Sequence, residues 1–236
     1  MSLFCDVIER LLNLAYPRRC PCCDEITIDN LEICYKCFEK LSKYMLTTGV
    51  CKCCGNPIEE CTCKTRIFLF DGVVAPFRYD GVAADGVLNI KKKKSIENAR
   101  FFANYMIEAV KSKFPVEQFD LVTNVPMFAK EEKQREFNHS KVLAKLISKG
   151  LGIEYKNTLK QILKRKSQHE LTAVERIENV KGVYKTISSV EGKNILLVDD
   201  IKTSGSTLNE CAHELLLAGA ESVWCVCAAL TCKKTL

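Results

Sequence analysis

The sequence has no stretch of about 18 uninterrupted apolar residues, so no membrane span is expected. It has only three histidines, His139, His169 and His213, and they fall at no mutual metal-ligand spacing. The first ten residues carry Asp6 and Glu9 and no long apolar core, so no secretory leader is expected, and a cytoplasmic, reducing setting is. Charge of one sign is not in large excess: 35 Lys and Arg against 29 Asp and Glu leave a modest +6. No low-complexity segment occurs beyond Lys91–Lys94. With 47% hydrophobic residues, the composition is that of a soluble globular chain with one substantial domain and one small one.

Cysteine, by contrast, is abundant: 15 in the chain, 11 of them before residue 64. Cys20, Cys23, Cys34 and Cys37 form two C-x2-C pairs ten residues apart. Cys51, Cys54, Cys61 and Cys63 form C-x2-C, six residues, then C-x-C. Two intervening residues let a tight knuckle present both sulfurs to one ion, and four thiolates close a tetrahedral zinc site. Disulfides are the rival reading, and they need an oxidising compartment. Cys22 and Cys53 are spare candidates, and ligation is either sequential or interleaved between the knuckles. Either way the module has too few apolar residues to fold without metal. Cys225 and Cys227 alternate in an apolar strand pattern and read as small hydrophobes on one face.

Residues 195–208 read as a buried strand, two carboxylates, a hydroxyl-rich turn and a helix. Ile195–Val198 has the length and branching of a covered parallel strand, and Leu208, Cys211, Ala212, Leu215 and Leu216 have helical spacing. A terminal phosphate at such a turn takes backbone N–H groups from 203–207 and hydroxyls from Thr203, Ser204, Ser206 and Thr207. It also meets the positive helix end, and Gly205 permits close approach. Asp199 and Asp200, acceptors only when ionised, suit sugar hydroxyls or a hydrated metal. The plainer reading is a strand-turn-helix with Thr207 as a cap. The stretch resembles the phosphoribosyl-diphosphate (PRPP) motif of type I phosphoribosyltransferases. That resemblance gives Asp199 and Asp200 the ribose hydroxyls and Thr203, Ser204, Gly205, Ser206 and Thr207 the 5′-phosphate.

Composition shifts divide the chain into an amphipathic helix within 1–18, a cysteine-rich double zinc ribbon over 19–65, and a domain over 66–236. In the last, strands over 67–79, 121–125, 153–161, 195–198 and 222–230 alternate with helices near 82–90, 96–113, 138–150, 172–181 and after 206. A loop is expected up to about 136. The pattern predicts an α/β fold with a mostly parallel sheet flanked by helices, and a binding site at the strands' carboxyl ends. Arg135 in the 126–136 loop either holds a diphosphate or belongs to a solvated charged loop. Arg165, Arg176 and Asn179 either close over the sugar or cap a helix. Lys91–Lys94 is either a solvated face or a track for a nucleic-acid backbone.

Val125-Pro126-Met127 followed by Arg135-Glu136-Phe137-Asn138-His139-Ser140 resembles the V-P, R-G-F-N-Q segment of the ComF family. Gln168-x-x-Leu171 with Arg176-x-x-Asn179-Val180-x-Gly182-Val183-Tyr184 resembles that family's next segment. With the cysteine-rich start, the likeness covers almost the whole chain. Glu136 and His139 depart from the pattern's Gly and Gln, and Ser204 and Ser206 replace Thr and Ala. The resemblance implies PRPP and magnesium as ligands and a role in competence and DNA uptake. Diphosphate departure would be assisted by Arg135, and Asp199 and Asp200 would favour the ribosyl cation. Single-stranded DNA and a helicase-like ATPase of DNA uptake are the implied partners. Two other readings stand beside it: a PRPP-sensing, single-stranded-DNA-binding accessory protein without turnover, and a zinc-dependent adaptor.

Overall fold

The computed structural model describes residues 17–27, 31–61, 63–135, 137–163 and 182–232. The helices expected over 2–15 and 172–181, and Glu136, Arg165, Gln168, Leu171, Arg176 and Asn179, lie outside these residues. In chain order the elements are α1 (Tyr35–Leu41), β1 (Gly72–Val74), β2 (Phe77–Arg78), α2 (Gly81–Lys93), α3 (Ile96–Lys113) and β3 (Leu121–Asn124). Then come α4 (Ala129–Arg135), α5 (His139–Leu151), β4 (Leu159–Gln161), β5 (Tyr184–Thr186), β6 (Asn194–Lys202), α6 (Ser206–Leu217) and β7 (Ser222–Leu230).

The main sheet runs β1-β7-β6-β3, with β2 continuing along β7 past Pro76, and every pairing in it is parallel. Parallel strands need crossovers, and α2, α3, α5 and α6 supply them on both faces. Along β6 the period of two is visible as burial. Leu196 and Val198 enter a core with Val226, Val87, Phe102, Met106 and Leu143. Ile195 and Leu197 enter another with Cys225, Cys227, Leu208, Cys211 and Leu215. Ile195, Leu196, Leu197 and Val198 are all fully enclosed, and each such side chain contributes about 1.5–3 kcal/mol. β4 and β5 form a separate antiparallel pair.

The helices begin where local chemistry dictates. Ser95 Oγ accepts from Asn98 N at the start of α3, and Asn138 Oδ1 accepts from Lys141 N at the start of α5. These caps satisfy otherwise orphaned N–H groups. Gly152, at φ +71°, ends α5 in the left-handed region. Two expectations need correction. The 126–136 loop contains α4, because the run from Ala129 to Arg135 has no Gly or Pro to interrupt a turn. The strand pair over 153–161 reduces to β4 plus bridges from Tyr155 to Val122 and from Gln161 to Phe128, and β4's partner is the distant β5.

β3 ends at Asn124, level with Val198, whereas β6 continues to Lys202 alongside β7. Val125 N still donates to Val198 O at 2.9 Å. Beyond it no described strand pairs with that flank of β6, at the carboxyl end of the sheet where sites of such folds lie.

Candidate functional site

Asp199 and Asp200 stand in the last turn of pleat of β6, inside the strand rather than after it. Both are buried. Ser140 Oγ and the Asp200 N–H each donate to Asp199 Oδ1 at 2.9 Å. Lys91 Nζ forms an ion pair with Asp200 Oδ2, and His139 Nε2 lies 3.6 Å from the same oxygen. The two carboxyls are driven apart electrostatically. Burial, then repulsion from Asp200, pushes Asp199 up to about 7. Burial acts the same way on Asp200, but His139 and Lys91 outweigh it and hold that carboxyl below its ordinary value. One carboxylate is therefore fixed as an anion while its neighbour sits near the point of ionisation.

The helix cap at Asn138 explains how His139 and Ser140 reach the acids, since it starts α5 with both residues in the first turn beside β6. Lys91 arrives from α2, where it lies four residues after Val87 on the flank of the buried stripe Ala83, Val87 and Ile90. It is therefore not one member of an exposed row of four. Lys92, Lys93 and Lys94 are exposed, and Lys93 Nζ pairs with Asp24 Oδ2 at 2.6 Å. A continuous Lys91–Lys94 track is thus corrected to a site lysine plus three exposed neighbours.

Past Lys202 the chain turns through Thr203–Gly205 into α6. Gly205 adopts φ +81°, and a Cβ there would stand 3.0 Å from Phe68 Cε1, so glycine answers both the backbone and the space. Having no side chain, it does not cap α6. The positive end of the helix dipole faces the turn. Ser204 Oγ and Ser206 Oγ lie 2.8 Å apart, Ser206 N donates to Ser204 Oγ at 3.3 Å, and Thr203, Ser204, Ser206 and Thr207 are all partly exposed. The result is a cluster of partly exposed hydroxyls next in the chain to two acids. Arg135 closes α4.

The first cysteine quartet, Cys20, Cys23, Cys34 and Cys37, gathers its sulfurs within 4.8 Å of one another, and Cys51, Cys54, Cys61 and Cys63 do the same. The grouping is sequential. Sulfurs at 3.6 Å (Cys23–Cys34) and 3.7 Å (Cys51–Cys63, Cys54–Cys61) are far too separated for a disulfide. Tetrahedral zinc with bonds of about 2.3 Å sets sulfurs roughly 3.8 Å apart, so both quartets fit that ion. Cys22 is not in a quartet; it packs in the core, 3.1 Å from where a Gly86 Cβ would lie. Asn89 Nδ2 donates to the carbonyls of Pro21 (3.1 Å) and Cys22 (2.9 Å), docking the first knuckle on α2.

Residues 138–235 match the phosphoribosyl transferase domain model, and residues 11–67 match the double zinc ribbon domain model. The chain joins a phosphoribosyltransferase-like fold to a double zinc ribbon. That is the combination the ComF resemblance anticipates. DNA utilization protein YhgH of Salmonella typhi is 33% identical over 114 residues, 47% of this chain and 50% of that protein. The chain thus spans about half the length of the YhgH relatives it matches. Competence protein ComFC of Bacillus subtilis is 28% identical over 200 residues, 80% of this chain and 79% of that protein. A purine phosphoribosyltransferase structure from Pyrococcus horikoshii overlaps 55% of this chain and 73% of its own at 17% identity, with a TM-score of 0.36, an overlap too small to argue from. No described helix is long and apolar enough to cross a membrane.

The phosphoribosyltransferase-like fold places the sequence-predicted acids and hydroxyl loop side by side. Sequence reasoning missed Lys91 and Ser140 as neighbours of the acids and treated His139 only as a departure from a motif. The signal for Lys91 was faint but present: a lysine continuing an apolar helical stripe. For Ser140 there was none, since its role depends on where α5 crosses β6.

Proposed function

We propose that the carboxyl end of β6 and the turn after it bind PRPP with magnesium, and that the chain works as a ComF-type phosphoribosyltransferase-like protein in competence and DNA uptake. The observation that carries this is the junction of a buried acid pair, Asp199 and Asp200, with a hydroxyl-rich turn that leads through Gly205 into the start of α6. The loop takes the 5′-phosphate through backbone N–H groups and hydroxyls, and the acids accept from the ribose hydroxyls. Magnesium, a hard cation suited to carboxylate and diphosphate oxygens, would supply charge neutralisation at the departing diphosphate. Asp199 and Asp200 offer the matching oxygen chemistry. Lys91 lies in place to meet that same anionic group, and Arg135 is proposed beside it. Titrating the zinc-loaded protein with PRPP and magnesium by calorimetry tests the binding, and diphosphate release across a panel of nucleobase acceptors tests turnover. No heat of binding at millimolar PRPP would sink the reading.

The acid pair predicts the pH dependence. Asp199 accepts more strongly from a ribose hydroxyl, and suits magnesium, once its proton has left, so PRPP affinity is expected to rise as pH climbs from 6 to 8 through its value of about 7. The increase should reach about tenfold, the gain in the ionised fraction of one group that titrates at the middle of that range. Asp199→Asn removes that titration, and whatever slope then survives belongs to other groups, His139 beside Asp200 and the ligand's own phosphates among them. An unaltered slope in this variant would remove Asp199 from the titration.

A second reading, single-stranded-DNA binding by an accessory protein, is favoured by one observation: Tyr35 and Phe38 are 70% and 57% exposed on α1. At i and i+3 they share a helix face, and exposed rings are free to stack on bases. Fluorescence anisotropy with a labelled oligonucleotide should show affinity falling with salt. Replacing Lys92, Lys93 and Lys94 with Ser should flatten the log-log slope by about 0.7 per lost phosphate contact. Lys91 is left unaltered because of its place beside Asp200. Absence of binding at low salt would end this reading, as would binding indifferent to Tyr35→Ala with Phe38→Ala. A helicase-like ATPase partner belongs to the same proposal, and the zinc-dependent adaptor, which needs no ligand, is what remains if both tests fail.

A further inference from the structure

The chain leaving the second cysteine quartet does not run off into solvent. Three residues after Cys63, the Arg66 guanidinium donates to the Ser204 carbonyl at 2.9 Å. Two residues further on, the Phe68 ring fills the space where a side chain on Gly205 would be, with Cε1 at 3.0 Å, and stacks on Phe70 at 4.8 Å between centroids. Leu69 N then donates to Asn209 Oδ1 at 2.6 Å, and Asn209 N returns to Gly205 O at 2.9 Å. Four consecutive residues, 66–69, therefore supply three separate contacts to the ligand loop and the first turn of α6.

The quartet at the other end of this segment is fixed to the same sheet. Val73 N donates to Cys53 O at 3.1 Å. A Cβ on Gly55 would lie 2.8 Å from Val73 O and 2.9 Å from a Leu230 methyl, and one on Gly72 would lie 2.7 Å from Lys52 O. The knuckle backbone thus packs against β1 and β7 with no room between them. Phe68 also covers Lys202, a nearly enclosed lysine at the root of the loop whose Nζ is 5.7 Å from the ring centre. Displacing the segment uncovers a buried ammonium and frees the loop together.

We propose that residues 66–69 form a strut through which the second cysteine quartet holds the ligand loop, so that metal occupancy at Cys51, Cys54, Cys61 and Cys63 sets ligand affinity at Thr203–Thr207. Arg66 and Phe68 are the positioning residues; neither needs to touch the ligand. In its ligand arm the proposal rests on reading the loop as a PRPP cup, but the strut itself is a contact within the protein. Because coupling between two sites is reciprocal in free energy, a bound ligand must also tighten binding of the second metal ion.

The test uses full-length, zinc-loaded protein and two readouts: amide hydrogen exchange across 203–209, and PRPP affinity by calorimetry. Arg66→Ala leaves all eight cysteines and every loop residue in place. It is expected to keep its full zinc content while exchange in the loop quickens and PRPP binding weakens, each by about tenfold, as is usual for coupled sites. Arg66→Lys, which keeps a cation, recovers part of both. Cys61→Ser, at a partly exposed ligand, should reproduce the effect by emptying the second site alone. If that variant does not fold, the arginine pair carries the test. PRPP should also tighten the binding of one zinc ion, not both, against a competing chromogenic chelator at equilibrium. Unchanged loop exchange in Arg66→Ala overturns the strut, as does equal protection of both ions by PRPP. If wild-type protein fails to bind PRPP while loop exchange still responds to Arg66→Ala, the proposed ligand falls and the strut stands.

Discussion

Asp199→Asn combined with Asp200→Asn is expected to lower PRPP affinity by at least about 100-fold, since each charged acceptor of a hydrogen bond contributes roughly 1.5–3 kcal/mol. The amides keep the shape of the site and lose the negative charge that suits hydroxyls and magnesium. Stability should move differently for the two positions. Asp199's folded value, about 7, lies above its ordinary one. The folded state therefore holds a proton the unfolded chain has lost, and this group's contribution to stability declines as pH climbs from about 4 to about 7. An amide at 199 removes that penalty and still accepts from Ser140 and the Asp200 N–H through its Oδ1. Asp199→Asn alone should therefore bind PRPP poorly yet melt no lower, and at pH 8 higher, than wild type. Asp200 is the reverse case, because its carboxylate offsets the Lys91 charge; Asp200→Asn should lower the melting temperature. Calorimetry and thermal melts read both effects. Undiminished affinity in the double variant would make the acids a structural relic.

Two zinc ions per chain are expected in protein purified without added metal, one for each sequential quartet. Removal of the first should reach beyond the ribbon. Cys20, Cys22, Cys37 and Leu41 are buried in the same core as Val87, Phe102 and Met106, so the knuckle is part of the wall against which α2 and α3 pack. Zinc binding at such a site is folding free energy, with several kcal/mol at stake. Cys37→Ser should therefore lower the melting temperature by roughly 10 °C or more, at the few degrees per kcal/mol usual for a chain this long. Cys61→Ser should cost less, since Cys61 is partly exposed. Metal analysis and thermal scans decide the matter. A metal-free protein with disulfides in place of the sulfur clusters would reject the zinc assignment, and equal melting of the two variants would reject the asymmetry.

The physical reason for what the sequence alone determined is locality. C-x2-C knuckles, the unbroken apolar run Ile195–Val198 and the glycine of the hydroxyl-rich turn are each set within a few residues. They are therefore legible from spacing and side-chain type. So were α3 over Ile96–Lys113, the parallel sheet and the adjacency of Asp199 and Asp200 to a hydroxyl loop. The pairing of β4 with β5, the arrival of Lys91, His139 and Ser140 at the acids, and the passage of Arg66 and Phe68 across the loop were decided only in three dimensions. Each depends on which distant segments the sheet's crossovers bring together. One lysine in a run of four carries no mark of its depth. Lys91 became part of the site because α2 turns that side of its last turn toward β6, where a buried carboxylate needs a counter-charge.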